Sequence, residues 1–120
     1  MFIEDDPMLA EMYDLFLKVN GHESKIVQQP ELAVGEVESW RPECIFLDLM
    51  MPKMNGNEVL IALKNNPATA TIPTVMLTNY HDEQLAKECL AKGAIGFLLK
   101  SDFTAEWLER YLVELLDHPA

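Results

Sequence analysis

Five polar side chains in this chain of 120 residues stand at the ends of apolar runs. Glu4 and Asp5 follow Met1-Phe2-Ile3, Asp48 follows Cys44-Ile45-Phe46-Leu47, Thr78 follows Thr74–Leu77, and Lys100 follows Gly96–Leu99. Carboxylates brought close together cannot all stay ionised without a cation between them. Magnesium is the expected cation, because it takes a few carboxylates, keeps several waters and leaves room for phosphate oxygens.

Taken singly, each of these residues has a plainer explanation. Acids after a strand often cap the next helix, a lone lysine is usually a surface residue, and a lone threonine is usually a cap or part of a strand. Asp48 is harder to dismiss, since a charge at the end of a buried strand is costly unless something binds it. The weight lies in the convergence of carboxylates, hydroxyl and lysine on one edge, which depends on the elements that carry them.

Those elements alternate. Apolar runs predict strands at 1–3, 26–27, 44–47, 74–77 and 96–99. Between them, Met8, Leu9, Met12, Leu15, Phe16 and Val19 fall at helical spacing, with Pro7 suited to the first turn and Asn20-Gly21 ending the helix. Pro30-Glu31 opens a second helix through Ala33, Val34 and Val37, which Gly35 weakens. Val59, Leu60 and Leu63 mark a third, and Leu85, Ala86, Cys89 and Leu90 a fourth, closed by Lys92-Gly93. A fifth begins near Thr104 with Leu108, Tyr111, Leu112 and Leu115 inward. Strict alternation with apolar strands implies an α/β fold: a doubly wound, flavodoxin-like, five-stranded parallel sheet with helices on both faces. In strand order 2-1-3-4-5, strands one and three are neighbours at the switch point, where such sheets bind ligands. That order sets Asp5 beside Asp48.

Composition agrees with one globular domain over 1–120, without repeats or a linker-like stretch. Twenty acids against nine lysines and arginines give a net charge of −11, which argues against direct nucleic-acid binding and against an anionic membrane surface. Residues 1–60 carry twelve acids and four bases, whereas 61–120 carry eight and five, so the carboxylates concentrate in the first half. No signal peptide, membrane-spanning run or lipidation motif is evident, making the cytoplasm the expected compartment. Cys44 and Cys89 sit among apolar neighbours and read as buried small hydrophobes. His22, His81 and His118 lack metal-ligand spacing and read as surface imidazoles, while Met50, Met51 and Met54 read as a flexible apolar loop. Trp40-Arg41-Pro42 reads as a packed helix end and turn. The three-residue first strand is short enough to suggest a chain cut from a longer one.

The segment Ile45-Phe46-Leu47-Asp48-Leu49-Met50-Met51-Pro52-Lys53-Met54-Asn55-Gly56 resembles the phosphoacceptor strand and loop of response-regulator receiver domains. The acidic pair Glu4-Asp5, the hydroxyl in Met76-Leu77-Thr78-Asn79 and the lysine in Gly96-Phe97-Leu98-Leu99-Lys100 extend the resemblance over essentially the whole chain. It implies a signalling switch whose Asp48 accepts a phosphoryl group from a sensor histidine kinase or phosphotransfer protein. Magnesium would be held by Asp5, Asp48 and the Met50 backbone carbonyl, with Glu4 acting through a metal-bound water. Lys100 and Thr78 would contact phosphoryl oxygens, and Phe97 would be the switch aromatic that turns inward as Thr78 shifts. A downstream effector or output domain, and a homodimer through the fourth helix, fifth strand and fifth helix, are the further partners implied.

Two departures stand out. The family usually has a cis-proline after the lysine, where this chain has Ser101, and a cis bond before serine costs about 2.5–4 kcal/mol. The first strand is also short. Neither removes a reactive group. A phosphohydrolase with an aspartate nucleophile is the main rival, yet it generally wants a second acid where Met50 stands. A degenerate receiver acting as a scaffold is the other alternative. Histidine phosphotransfer proteins resemble helical bundles, and a flavodoxin would want a Ser/Thr/Gly-rich phosphate loop after its first strand.

Overall fold

The computed structural model describes residues 1–117. Five strands alternate with five helices: β1 (Phe2–Ile3), α1 (Pro7–Val19), β2 (Ile26–Val27), α2 (Ala33–Trp40), β3 (Ile45–Asp48), α3 (Gly56–Asn65), β4 (Thr74–Thr78), α4 (Glu83–Ala91), β5 (Gly96–Leu99) and α5 (Ala105–Asp117). All strand pairings are parallel, in order β2-β1-β3-β4-β5. The expected fold class is the observed one.

Successive strand residues point to opposite faces. Ile3, Ile45, Leu47 and Met76 therefore meet Val37, Val59, Leu60, Leu63 and Cys89 of α2, α3 and α4. Phe2, Phe46, Val75 and Leu77 meet Tyr13 and Leu17 of α1 and Leu108 and Leu112 of α5. Phe2 stacks between Phe46 and Tyr13, with ring centroids 5.2 and 5.8 Å away. Both cysteines are free and buried, as expected of small hydrophobes. Burial pushes the Cys44 thiol up to about 11.

Local chemistry explains the element ends. Asp6 caps α1 by accepting from the Met8 and Leu9 amides, and Pro7 needs no such partner. Gly21 (φ 88°) and Gly93 (φ 110°) adopt the left-handed backbone just beyond α1 and α4. Pro30 opens a 3-10 turn, Pro30–Leu32, before α2 proper, so the second helix starts more tightly wound than its spacing predicts. Arg41 leaves α2 through a left-handed φ of 53°. The loop after β3 is less pliant than its methionines suggest: Met51 is buried and Met54 packs on the core. His22 is not simply a surface group either. Half-buried, it lies 3.0 Å from Glu109 of α5 and ties the end of α1 to that helix. His81 is exposed, and His118 lies outside the described residues.

The outcome that matters for the site is register. Ile3 pairs with Leu47, Asp48 with Leu77, and Thr78 with Leu99. Four strands consequently end at one edge.

Candidate functional site

Glu4 leaves β1 one residue after Ile3, Asp48 closes β3, Thr78 closes β4, and Lys100 follows β5. Glu4, Asp48 and Thr78 are almost wholly buried, and Asp5 is half-buried. The Lys100 ammonium lies between two carboxylates, 2.5 Å from Glu4 Oε1 and 3.1 Å from Asp48 Oδ1. Glu4, Asp5 and Asp48 each offer a carboxylate oxygen, all within 4.8 Å of one another. Asp6 takes no part, since its side chain caps α1.

Burial and the neighbouring Asp48 push the Glu4 carboxyl up to about 8, against the pull of Lys100. Burial opposes the charge on Lys100, but hydrogen bonding to Glu4 and the charge of Asp48 outweigh it and raise the ammonium above its ordinary value. Three acids facing one lysine leave negative charge unanswered. Glu4 Oε2 is also buried without a hydrogen-bond partner. An unmet acceptor in an all-oxygen acidic cluster is what a hard cation such as magnesium would satisfy.

The backbone supports this arrangement. The Met50 amide donates to Asp48 Oδ1 at 3.3 Å, and the Tyr80 amide donates to Thr78 Oγ1 at 3.1 Å. The Leu49 amide donates to the Leu77 carbonyl, and the Gly56 amide returns to the Leu49 carbonyl at 2.8 Å. A Cβ at Gly56 would collide with the Asp48 carbonyl oxygen, so α3 approaches the end of β3 through a residue without a side chain. The Met50 and Tyr80 side chains, beyond Asp48 and Thr78, are exposed. Phe97 is half-buried against the core and lines a groove of about 260 Å³ with Tyr80, Asp82, Ala86 and Asp102. The Lys100–Ser101 peptide is trans, unlike the family's usual cis-proline bond, and begins a 3-10 turn, Lys100–Asp102, ahead of α5.

The response regulator receiver domain model matches residues 1–111. The chain belongs to this family. Among curated relatives, the DNA-binding response regulator MtrA of Mycolicibacterium smegmatis is 32% identical over 123 residues, covering all of this chain and 53% of that protein. The receiver domain thus spans about half the length of the MtrA relatives it matches. The solved receiver domain of a DNA-binding response regulator from Colwellia psychrerythraea superposes with a TM-score of 0.87 at 28% identity, covering 98% of this chain and 96% of that one. One from a signal transduction histidine kinase of Syntrophus aciditrophicus gives 0.84 at 30% identity, covering 97% and 87%. Receivers of this kind are phosphorylation-activated signalling switches rather than metabolic enzymes.

Every residue expected at the site from the sequence stands at the sheet's carboxyl edge, with Phe97 just before it on β5. Two features escaped sequence reasoning. Lys100 is bonded to Glu4 as well as to Asp48, and no spacing rule joins residues 96 apart. The close approach at Gly56 is the other, although a glycine opening a helix directly after the loop that follows Asp48 was a visible signal.

Proposed function

We propose that Asp48 is the phosphoacceptor of a receiver domain occupying 1–120, and that a sensor histidine kinase or phosphotransfer protein supplies the phosphoryl group. The observation that carries this reading is the Lys100 ammonium shared between Glu4 and Asp48 beside the half-buried Asp5. Asp48 Oδ1 accepts from both Lys100 and the Met50 amide, which leaves Oδ2 to attack phosphorus. A P–O bond forms to Asp48 as the P–N bond to the donor histidine breaks, and the imidazole nitrogen keeps the electron pair. Lys100 transfers part of its charge from the carboxylates to a phosphoryl oxygen, and the Thr78 hydroxyl hydrogen-bonds to another. Magnesium fits the cluster, with Asp5, Asp48 and the Met50 carbonyl as ligands and Glu4 holding a metal-bound water; when bound, it would neutralise charge on the phosphoryl oxygens.

Thr78 moving toward the phosphoryl group would free space for Phe97, so the signal would leave through α4, β5 and α5. An effector, an output domain or a second copy that docks there only after phosphorylation shifts the equilibrium by its differential affinity. The compartment that supplies such kinases is the cytoplasm, and no described helix is long and apolar enough to cross a membrane. DNA binding is named for the full-length MtrA relatives, of which this chain matches about half. With a net charge of −11, the receiver itself is proposed to leave nucleic acid to a separate domain. It promotes only its own phosphorylation and dephosphorylation. The phosphohydrolase alternative is weakened by Met50, which offers no acid.

The test is incubation with a small phosphodonor and magnesium. One acid-labile phosphate per chain is expected, falling to background in Asp48→Ala. Undiminished labelling of that variant would overturn the assignment. A stable phosphoryl mimic should shift amide resonances from about Asp82 to Leu116.

A further inference from the structure

The ion pair between Glu4 and Lys100 reaches across the sheet. Glu4 follows β1 and Lys100 follows β5, with β3 and β4 between them. Glu4 and Asp48 stand at the ends of strands that have a neighbour on each side. Lys100 has less support, since β5 is an outermost strand and pairs with β4 alone. It opens the 3-10 turn Lys100–Asp102, which no side chain caps at its start, and Ser101 and Asp102 are exposed. Among the described residues, no backbone hydrogen bond outside the turn ties residues 100–103 to another segment. A proline after the lysine would lock its own φ, whereas Ser101 leaves that rotation free. The backbone alone does not fix Lys100.

A row of aromatic rings joins the same segments that carry the charges. Phe46, Phe2, Tyr13 and Phe103 follow one another at centroid separations of 5.2, 5.8 and 5.8 Å. Phe46 stands two residues before Asp48, Phe2 two before Glu4, and Phe103 three after Lys100. Tyr13, buried on the inner face of α1, is the link between the strands and the turn. Phe2 and Phe46 are register partners, so the sheet already fixes them. Phe103 belongs to no strand or helix, and its half-buried ring lies against Tyr13 on one side and Trp107, 5.7 Å away, on the other. Ring pairs at these spacings attract beyond the area that they bury. The turn that carries Lys100 is therefore held at its far end by a side chain.

We propose that Tyr13 and Phe103 are positioning residues: the Phe103 ring, seated on Tyr13, fixes the turn after β5 and so sets the Lys100 ammonium between Glu4 and Asp48. Its effect on phosphorylation rate rests on Asp48 as phosphoacceptor; the placement of Lys100 does not.

Two measurements on the full chain test this, with circular dichroism to verify the fold of each variant. The first needs neither phosphate nor metal. Held between two carboxylates, the Lys100 ammonium should give a nitrogen NMR signal whose protons exchange slowly with water. Phe103→Ala should speed that exchange about tenfold, and so should Tyr13→Leu, which keeps the apolar bulk that the fold needs. The second is the rate of phosphorylation by a small donor. Phe103→Ala should slow it about tenfold, because small displacements of a positioned group are costly. Phe103→Tyr keeps the ring and should recover the wild-type rate to within about twofold. In Lys100→Met, adding Phe103→Ala should cost nothing further, since a ring that acts through Lys100 has nothing left to place. A wild-type ammonium that exchanges as fast as a surface lysine's would overturn the proposal, as would exchange unchanged in both ring variants. Equal slowing with and without Lys100 would overturn it too. Faster exchange in the ring variants of a chain that takes no phosphate on Asp48 would support the placement of Lys100 and reject the phosphoacceptor reading alone.

Discussion

Two half-buried lysines stand at different places in this fold, and their partners differ in one respect. Lys64, near the end of α3, donates to the carbonyls of Ala70 at 3.0 Å and Ile72 at 2.9 Å, just ahead of β4. Those acceptors are neutral, so burial prevails and lowers its proton affinity. Lys100 is also half-buried, but its acceptors are the carboxylates of Glu4 and Asp48, and its proton affinity rises. Lys64 serves the chain, closing off backbone carbonyls that would otherwise be unmet. Lys100 is a charge held in a dry place between acids that want more than one cation. A buried lysine therefore says little about function until its acceptors are known.

Exchanging each lysine for methionine would break or sharpen this contrast. Lys100→Met should slow phosphorylation by a small donor about 100-fold, the usual scale for removing one preorganised charge, while the fold persists. Lys64→Met should leave that rate within about twofold, because it lies outside the site. It should instead lower stability by about 1–3 kcal/mol, as two carbonyls lose a partner. Stopped-flow phosphorylation and denaturant melts of both variants separate the two effects. Equal losses of rate would show that the two lysines do not divide the work.

The acids of the first loop offer a smaller version of the same contrast. Asp5→Asn should weaken magnesium binding about tenfold, or about 1.4 kcal/mol. Asp6→Asn should leave it nearly unchanged, because that side chain caps α1 and asparagine caps equally well. Titration calorimetry distinguishes them, and equal losses would mean that the two acids have exchanged roles.

Magnesium affinity should also depend on pH. A carboxylate favours a nearby cation best when deprotonated, whether it binds directly or through a metal-bound water, and Glu4 is held up to about 8. Affinity is expected to climb from about pH 6.5 to about pH 8 and then level off, by less than tenfold per pH unit. Glu4→Gln should flatten that profile; a slope unchanged in the variant would assign the proton to another group.

The smallest effect concerns the lifetime of the phosphorylated state. Water must approach phosphorus opposite Asp48, past the exposed side chains of Met50 and Tyr80, neither of which carries a carboxylate or amide to orient it. Met50→Asn/Tyr80→Glu should lose phosphate several-fold faster than wild type, within the range that positioning a water can supply. A double variant losing phosphate at the wild-type rate would show that these side chains do not govern the water.

Much of this was legible in the residues because period and position carried it. Apolar strands alternating with periodic helices led to the sheet, and the sheet brought Glu4, Asp48, Thr78 and Lys100 to one edge. The boundaries of β3 moved by one residue, from 44–47 to Ile45–Asp48, because ladder pairing and not apolarity ends a strand. The first helix is more instructive. Met8, Met12, Leu15 and Val19 announced it by their spacing, yet all four face solvent, while the buried face includes Ala10 and Asp14. Periodicity locates a helix without saying which stripe faces the core when both are apolar. The bond between Lys100 and Glu4 and the pairing of His22 with Glu109 depend on side-chain reach across elements, which no local pattern encodes.

Gly56 has a consequence for how freely this molecule can be re-engineered. Its amide on the Leu49 carbonyl closes residues 49–56 into a loop with its own base, and its missing side chain lets that base sit against Asp48. Within the loop, Met51 and Met54 anchor to the core, whereas Pro52 and Lys53 are exposed. An inserted peptide or a reporter label between Pro52 and Lys53 would hang from a closed ring, with its strain confined to the tip. The loop beside Asp48 is thus a place to attach a sensor of this receiver's state without rebuilding the receiver.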